Sequence, residues 1–266
     1  MPVPYAEVIG DPVAQSSSPA IHKNWLGQLR MEGDFRATRV PPDELEDYFS
    51  LRRADPDWRG CSVTIPHKQA VLRFLDCVDP AATAMGAVNC IGREADLLTG
   101  RNTDVDGVAA ALDPIQLEGE QAVLIGAGGA ARAAIHYLQQ RRVRGIVILV
   151  RDPAKAIREL GNEQSLQLKF RPLDECDGSF DGARLIVNAS PMGMEGQNPM
   201  PAILLASLAE QAAGKVLFDM VYKPIETDFL ATGAANGAVT IGGMKMLVGQ
   251  ARAAFQAFFG SPAPVR

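Results

Sequence analysis

Residues 121–131 read Gln-Ala-Val-Leu-Ile-Gly-Ala-Gly-Gly-Ala-Ala. A short apolar run enters Gly126-x-Gly128-x-x-Ala131, and a helical pattern follows at once. This is the spacing of the phosphate-cradling turn in a dinucleotide-binding strand–helix–strand unit. Gly126 permits the tight turn, Gly128 lets the backbone approach a pyrophosphate, and Ala131 lets the helix lie close to the strand. The helix N-terminus then points N–H groups at the anion, with Gly129 and Ala130 in its first turn. The same pattern also fits a Gly-rich turn without a ligand, or one that holds S-adenosylmethionine.

Downstream, strand and helix alternate. Strands are expected at 121–125, 146–150, 168–170, 184–188, 216–219 and 238–241, which implies parallel strands with right-handed crossovers in a doubly wound sheet. Gly242-Gly243 breaks the pattern, and a helix follows from Met244 to Phe259 with Met244, Leu247, Val248, Ala251, Phe255 and Phe258 at helical spacing.

Upstream, some 120 residues need a core of their own. Strands are expected at Tyr5–Gly10, Phe35–Val40, Gly60–Ile65, Ala87–Ile91 and Leu97–Asn102. Helices are expected from Ser18 to Leu29, with Ser18 as N-cap and Pro19 at N1, from Pro41 to Arg53, from His67 to Leu75, and from Asp104 to Leu112. The fold class is therefore α/β with two domains. Residues 105–241 form a Rossmann dinucleotide-binding domain. Residues 1–104 and 242–266 form an α/β substrate-binding and catalytic domain completed by the last helix, with the active site in the cleft between domains.

Composition narrows the partners. The 266 residues are 47% hydrophobic and 21% charged, with a formal net charge of −5. That balance and the lack of a basic stripe argue against nucleic acid. No apolar run is long enough to span a bilayer, and Met1–Glu7 has neither a basic start nor an apolar signal core, so a cytoplasmic location is expected. Cys61, Cys77, Cys90 and Cys176 show no C-x-x-C pairing and read as buried free thiols of a reduced compartment. His22, His67 and His136 are far apart, and no metal is expected. His136 reads as a structural side chain within a helix.

Several residues carry candidate chemistry. Lys68 falls in the first turn of the helix expected after Pro66, the end of the dipole that disfavours a cation, which suits a proton donor. The alternative is a surface lysine lying along apolar neighbours. Asp104 opens a helix and is either its cap or a carboxylate held ionised by the helix N-terminus. Both follow strand ends, where α/β sites gather, and together they make a proton-transfer pair suited to an alcohol–ketone conversion. Ser16 offers a hydroxyl beside the capping Ser18. Asn89 is a turn residue or a substrate-facing amide.

These residues resemble the shikimate dehydrogenase family along nearly the whole chain. Ile9-Gly10-Asp11-Pro12 followed by Ser16-x-Ser18-Pro19-x-x-His22 is similar to its N-terminal signature, which implies that Ser16 and Ser18 bind the substrate carboxylate. Ser62-Val63-Thr64-Ile65-Pro66-x-Lys68 resembles its catalytic segment, with Lys68 as acid/base and Thr64 as a substrate ligand. Gly86-Ala87-Val88-Asn89 and Asn102-Thr103-Asp104 resemble the motifs whose asparagine and aspartate hold ring hydroxyls. Gly126–Ala133 is similar to its nucleotide loop. Asp219-Met220-Val221-Tyr222 and Met246-Leu247-Val248-x-Gln250-Ala251 resemble its late segments. They imply that Tyr222 and Gln250 face substrate, and that Met220 and Gly243 lie near the nicotinamide.

Three positions depart from the family pattern. Ser62 stands where asparagine is usual, Cys90 where threonine is usual, and Val150-Arg151-Asp152 where the NADP-reading segment is commonly Asn-Arg-Thr. The resemblance implies reversible NADPH-dependent reduction of 3-dehydroshikimate to shikimate, in aromatic amino-acid biosynthesis, by a monomer or homodimer. Ser62 and Cys90 keep open a quinate/shikimate paralogue using NAD. A non-catalytic ligand sensor on the same scaffold is the rival from another class. For the cofactor, Arg151, Lys155 and Arg158 favour the 2′-phosphate of NADP. Asp152 opposes it unless, as Asp152-Pro153 suggests, it is spent as a helix cap.

Overall fold

The computed structural model describes residues 3–160 and 167–264. The chain divides into two compact units, one of residues up to Asp106 together with Val248 onward, the other Gly107–Leu247.

The first unit contains β1 (Tyr5–Gly10), α1 (Ser18–Leu29), β2 (Asp34–Arg39), α2 (Leu45–Ala54) and β3 (Trp58–Val63). It continues with β4 (Cys77–Val78), α3 (Pro80–Met85), β5 (Cys90–Glu94), β6 (Leu97–Arg101) and the start of α4 (Asp104–Leu112). Its sheet has the order β2-β1-β3-β5-β6-β4. β1 runs parallel to β2 and β3, whereas β5 is antiparallel to both β3 and β6. β1, β3 and β6 therefore end at one edge, and β5 begins there.

β1 is buried on both faces, as the alternation of its side chains shows. Tyr5 and Ile9 join Tyr48, Phe49 and Trp58, while Ala6 and Val8 join Phe35, Ala254 and Phe258. Glu7 is the charged member of this strand and is 1% exposed. Arg52 grips its carboxylate with two bonds of 2.8 and 2.9 Å, and Tyr48 and Thr38 donate at 2.6 and 2.8 Å, so the buried charge is fully partnered.

The second unit is built from β7 (Gln121–Ile125), α5 (Gly129–Gln140), β8 (Gly145–Val150), α6 (Pro153–Leu160), β9 (Leu168–Pro172) and β10 (Ala183–Asn188). α7 (Ala202–Gln211), β11 (Val216–Asp219), α8 (Asp228–Ala235) and β12 (Val239–Ile241) follow. All the pairings in its sheet are parallel, in the order β12-β11-β10-β7-β8-β9. Taken from β7, that is the doubly wound order whose switch point lies between β7 and β10. Both faces of β7 are covered, which is why its sequence is a continuous apolar run rather than an alternation. The last helix, α9 (Met244–Phe259), starts in this unit and from Val248 belongs to the first.

Several local expectations are corrected. Residues 67–75 are not an α-helix: a turn closes with His67 N–H on the Thr64 carbonyl, and Ala70–Phe74 is a short 3₁₀ segment. The Lys68 carbonyl is taken by the Val88 N–H, so it cannot propagate a helix. Lys68 is thus outside any helix, and the dipole argument for it does not apply. Ser18 is the first residue of α1, not its cap. Ser17 occupies the cap position without a side-chain cap bond, and the Ser18 N–H is satisfied by Ser16 Oγ at 3.3 Å. The strand expected at Ala87–Ile91 begins at Cys90. Cys77 is exposed, while the other three thiols are free and buried. His136 accompanies Gln140 on α5, their side-chain nitrogens 3.0 Å apart.

Candidate active site

The carboxyl edge of the first sheet collects the polar residues that the sequence singles out. Ser16 and Ser18 follow β1, Thr64 and Lys68 follow β3, Asp104 follows β6, and Asn89 immediately precedes β5. Gly10 lets two of these segments meet. A Cβ there would lie 2.5 Å from Thr64 Cγ2 and 2.9 Å from the Ile65 carbonyl oxygen. Backbone bonds from Thr64 N–H to Ile9 and from Asp11 N–H to Ile65 lock the two strand ends together.

At the centre, Lys68 Nζ donates to Asp104 Oδ2 at 2.5 Å, with side chains 20% and 8% exposed. Asn89 Nδ2 donates to the other carboxylate oxygen at 2.8 Å. Asn89 Oδ1 in turn accepts from the Thr103 N–H at 2.7 Å, and the Thr103 hydroxyl lies 3.3 Å from it and 3.4 Å from Gln250 Oε1. Asn102 Oδ1 accepts the Asp104 N–H at 3.1 Å, and its amide donates to the Ala87 carbonyl at 2.8 Å. The carboxylate is therefore spent on Lys68 and Asn89. Asn102 rather than Asp104 tends the start of α4, which decides against the capping role for Asp104.

This arrangement brings together Lys68, Asp104, Asn89 and Gln250. Ser16, Ser18 and Thr64 stand on the same edge without a hydrogen bond to that cluster. Ser18 is buried, yet its hydroxyl makes no hydrogen bond among the described residues, so it remains available to a ligand. Thr103 and Asn102 are the residues that sequence reasoning passed over as bystanders of a motif. Their signal was their place at a strand end beside Asp104.

The second unit presents an anion cradle at its own carboxyl edge. Gly126 has φ +104°, and a Cβ there would press within 3.1 Å of the Ala189 carbonyl, so both backbone and space demand glycine. Gly128 meets nothing within 4 Å of its hypothetical Cβ. The bare backbone is open there, where a pyrophosphate would approach. Gly128 caps α5, and the first helical bond runs from Arg132 N–H to the Gly128 carbonyl. The N–H groups of Gly129, Ala130 and Ala131 precede that bond and are the natural anion donors.

After β8, Arg151 is exposed and makes no ion pair among the described residues. Asp152 Oδ1 accepts the Lys155 N–H at 2.9 Å, the N-cap geometry, so its carboxylate is turned to the helix. Lys155 stands 3.8 Å from Glu159 across an exposed helical turn.

After β11, Asp219 is fully buried and accepts from Asn188 at 2.9 Å, from the Val221 N–H at 2.9 Å and from the Thr227 hydroxyl at 2.5 Å. Burial pushes its carboxyl above the usual range. These bonds fix the Met220–Tyr222 segment, and Tyr222 is half-buried. Gly243 closes on it so tightly that a Cβ would lie 2.5 Å from the carbonyl oxygens of both Met220 and Val221. Asn188 and Thr227 went unremarked in the sequence, although Asn188 ends an otherwise apolar strand.

Ser16, Ser18, Thr64, Lys68 and Asn89 fall within the span of a known family model, and Asp104 and Gln250 lie beyond it. The shikimate dehydrogenase substrate binding domain matches residues 8–91. Shikimate dehydrogenase (NADP(+)) of Sphingopyxis alaskensis is 44% identical over 262 residues, covering 98% of this chain and 93% of that relative. The chain belongs to the shikimate dehydrogenase family. Among solved structures, a shikimate dehydrogenase in complex with NADP+ matches with TM-score 0.87 at 31% identity, over 98% of this chain and 92% of that one. The shikimate 5-dehydrogenase of Listeria monocytogenes, in complex with shikimate and NAD, matches with TM-score 0.86 at 26% identity, over 99% and 94%. Family membership removes the S-adenosylmethionine reading of the Gly126 turn. No helix of the described residues is long and apolar enough to cross a membrane.

Proposed function

We propose that this chain is an oxidoreductase that reversibly reduces 3-dehydroshikimate to shikimate with NADPH, as a step of aromatic amino-acid biosynthesis. The observation that carries the reading is the contact of Lys68 with Asp104 at 2.5 Å on the carboxyl edge of the first sheet. When bound, NADPH supplies the hydride. Lys68 Nζ gives its proton to the ketone oxygen during reduction and takes it back in reverse. Asp104 orients Lys68 and, with Asn89, accepts or donates to a ring hydroxyl. Ser16 and Ser18 bind the substrate carboxylate, and Thr64, Gln250 and Tyr222 complete the polar contacts.

The first unit is the substrate-binding and catalytic domain and the second the dinucleotide-binding domain. The open backbone at Gly128 and the bare N–H groups of Gly129 and Ala130 suit a pyrophosphate. Arg151, with Lys155 nearby, suits the 2′-phosphate of NADP. Met220 and Gly243 are the residues that would hold the nicotinamide. A cytoplasmic location, the absence of a nucleic-acid partner and a monomeric or homodimeric state belong to the same reading. The net charge of −5 and the free thiols support it.

One observation favours a second substrate. Ser62 and Cys90, the two departures from the family pattern, are register partners across β3 and β5. Quinate is the nearest candidate. A matrix of shikimate and quinate against NADP and NAD, followed by nicotinamide absorbance, tests both readings. Turnover highest with shikimate and NADP is expected. Preference for quinate selects the second reading, and no turnover in any combination overturns both.

A further inference from the structure

Asp219 ends β11 wholly buried, and every donor it meets is neutral. Oδ1 accepts from Asn188 Nδ2 and from the Val221 N–H, both at 2.9 Å, and Oδ2 accepts from the Thr227 hydroxyl at 2.5 Å. The other buried carboxylates among the described residues, Glu7 and Asp104, each face a cation, Arg52 and Lys68 respectively. Asp219 has no such partner among the described residues.

The surrounding protons nevertheless keep it ionised. Asn188 and Val221 offer only donors to Oδ1. Thr227 Oγ already accepts the Leu230 N–H at 3.3 Å as the cap of α8, and its own proton goes to Oδ2. Protonating Asp219 would take that acceptor from the hydroxyl. The result is a buried negative charge without a counter-ion, a costly arrangement in a folded chain.

The position of Asp219 points to the missing cation. In a doubly wound sheet the pyrophosphate rests on the turn after β7, and the end of β8 reads the adenosine ribose. The other half of a dinucleotide then lies on the opposite side of β7, where β10 and β11 end. The nicotinamide ring at that end is a cation when oxidised and neutral when reduced.

Given NADP at the Gly126 turn as proposed above, we infer that Asp219 is the counter-charge of the oxidised nicotinamide and biases the bound cofactor toward NADP+. It acts through space, since the field of a buried charge is weakly screened. On the enzyme, hydride passes from NADPH to the carbonyl carbon and the Lys68 proton to the carbonyl oxygen, leaving alcohol and NADP+. The charge of Asp219 therefore favours reduction of the ketone. It is a determinant of cofactor redox state, separate from the proton transfer at Lys68.

The test is calorimetric binding of NADP+, NADPH and 2′,5′-ADP, which lacks the nicotinamide, to the full chain without substrate. The wild type should bind NADP+ more tightly than NADPH, a measurement that needs no variant. Asp219→Asn is isosteric and can keep all three bonds, its oxygen accepting from Asn188 and Val221 and its amide donating to Thr227. It should weaken NADP+ about tenfold, the scale of a unit charge about 10 Å away at an effective dielectric constant of about 20. NADPH and 2′,5′-ADP should bind it as they bind the wild type. Tighter wild-type binding of NADPH, an unchanged ratio of the two affinities in Asp219→Asn, or equal weakening of all three ligands overturns this assignment and leaves the dehydrogenase reading intact. Failure of the wild type to bind any nicotinamide dinucleotide overturns both.

Discussion

Asn89 Nδ2 holds Oδ1 of Asp104 at 2.8 Å, which leaves Oδ2 of the same carboxylate facing Lys68. The amide oxygen of Asn89 is at the same time fixed by the Thr103 N–H. The carboxylate cannot rotate without breaking a chain of bonds that reaches the backbone. Lys68 therefore meets a preset partner rather than a mobile one.

Lys68→Met is expected to fold and to lose at least about two orders of magnitude in kcat, the scale of a general acid–base group, with KM changed less. Steady-state kinetics on a variant of unchanged circular dichroism checks this. Near-normal turnover would remove Lys68 from the mechanism.

Asp104→Asn should also lose activity, and the double variant should be little worse than Lys68→Met, because groups that act as a unit are not additive. A kinetic double-mutant cycle decides. Multiplicative losses would show two independent roles.

Ser16→Ala and Ser18→Ala should chiefly raise KM for the acid substrate, since a carboxylate contact is made in ground and transition states alike. Ser18 makes no cap bond, so Ser18→Ala should melt like the wild type. Unchanged KM in both variants would count against a serine carboxylate site, and a lowered Tm would restore a structural role to Ser18.

Arg151→Ala should raise KM for NADP much more than for NAD, as loss of a 2′-phosphate contact requires. The cap bond from Lys155 N–H to Asp152 makes the reverse pattern unexpected. A wild-type preference for NAD, indifferent to Arg151→Ala, would mean that Asp152 reads the ribose.

His22 gives a pH dependence of stability. It is 1% exposed and stacked 4.0 Å from the Phe35 ring, with both ring nitrogens without partners among the described residues. Burial lowers its pKa from 6.5 to about 3. The unfolded chain thus binds a proton that the folded one refuses. Its contribution is complete above about pH 6.5 and is lost as pH falls toward 3, at no more than about 1.4 kcal/mol per pH unit. Urea unfolding between neutral and mildly acidic pH should show that slope, and His22→Phe should flatten it. An identical slope in the variant would place the acid sensitivity elsewhere.

The second sheet was readable almost residue by residue because its four central strands, β7, β8, β10 and β11, are buried on both faces. Gln121–Ile125, Val216–Asp219 and Met244–Phe259 fall where apolar runs and periodicity put them. The first unit was less transparent. Val71, Leu72 and Leu75 mimic a helical face, but the competing bond from Val88 to Lys68 is nonlocal and leaves no local trace. α3 was missed although Asp79 caps it through the Ala82 N–H, with Pro80 next, the same chemistry as Asp152-Pro153. Lys68 and Asp104 were each visible as strand-end residues. That they touch across 36 positions depends on the β3-β5-β6 pairing, which no short-range pattern encodes.

The sharing of α9 has a consequence for synthesis. Phe255 stacks on the buried ring of His22 and Phe258 tilts against it, yet both emerge from the ribosome only after the whole of Gly107–Leu247. At about 5–20 residues per second, that interval is on the order of ten seconds. The stretch made first therefore waits with an aromatic surface uncovered while the stretch made second, which is contiguous, can already close. The first unit thus lacks its last helix until the second has been made in full.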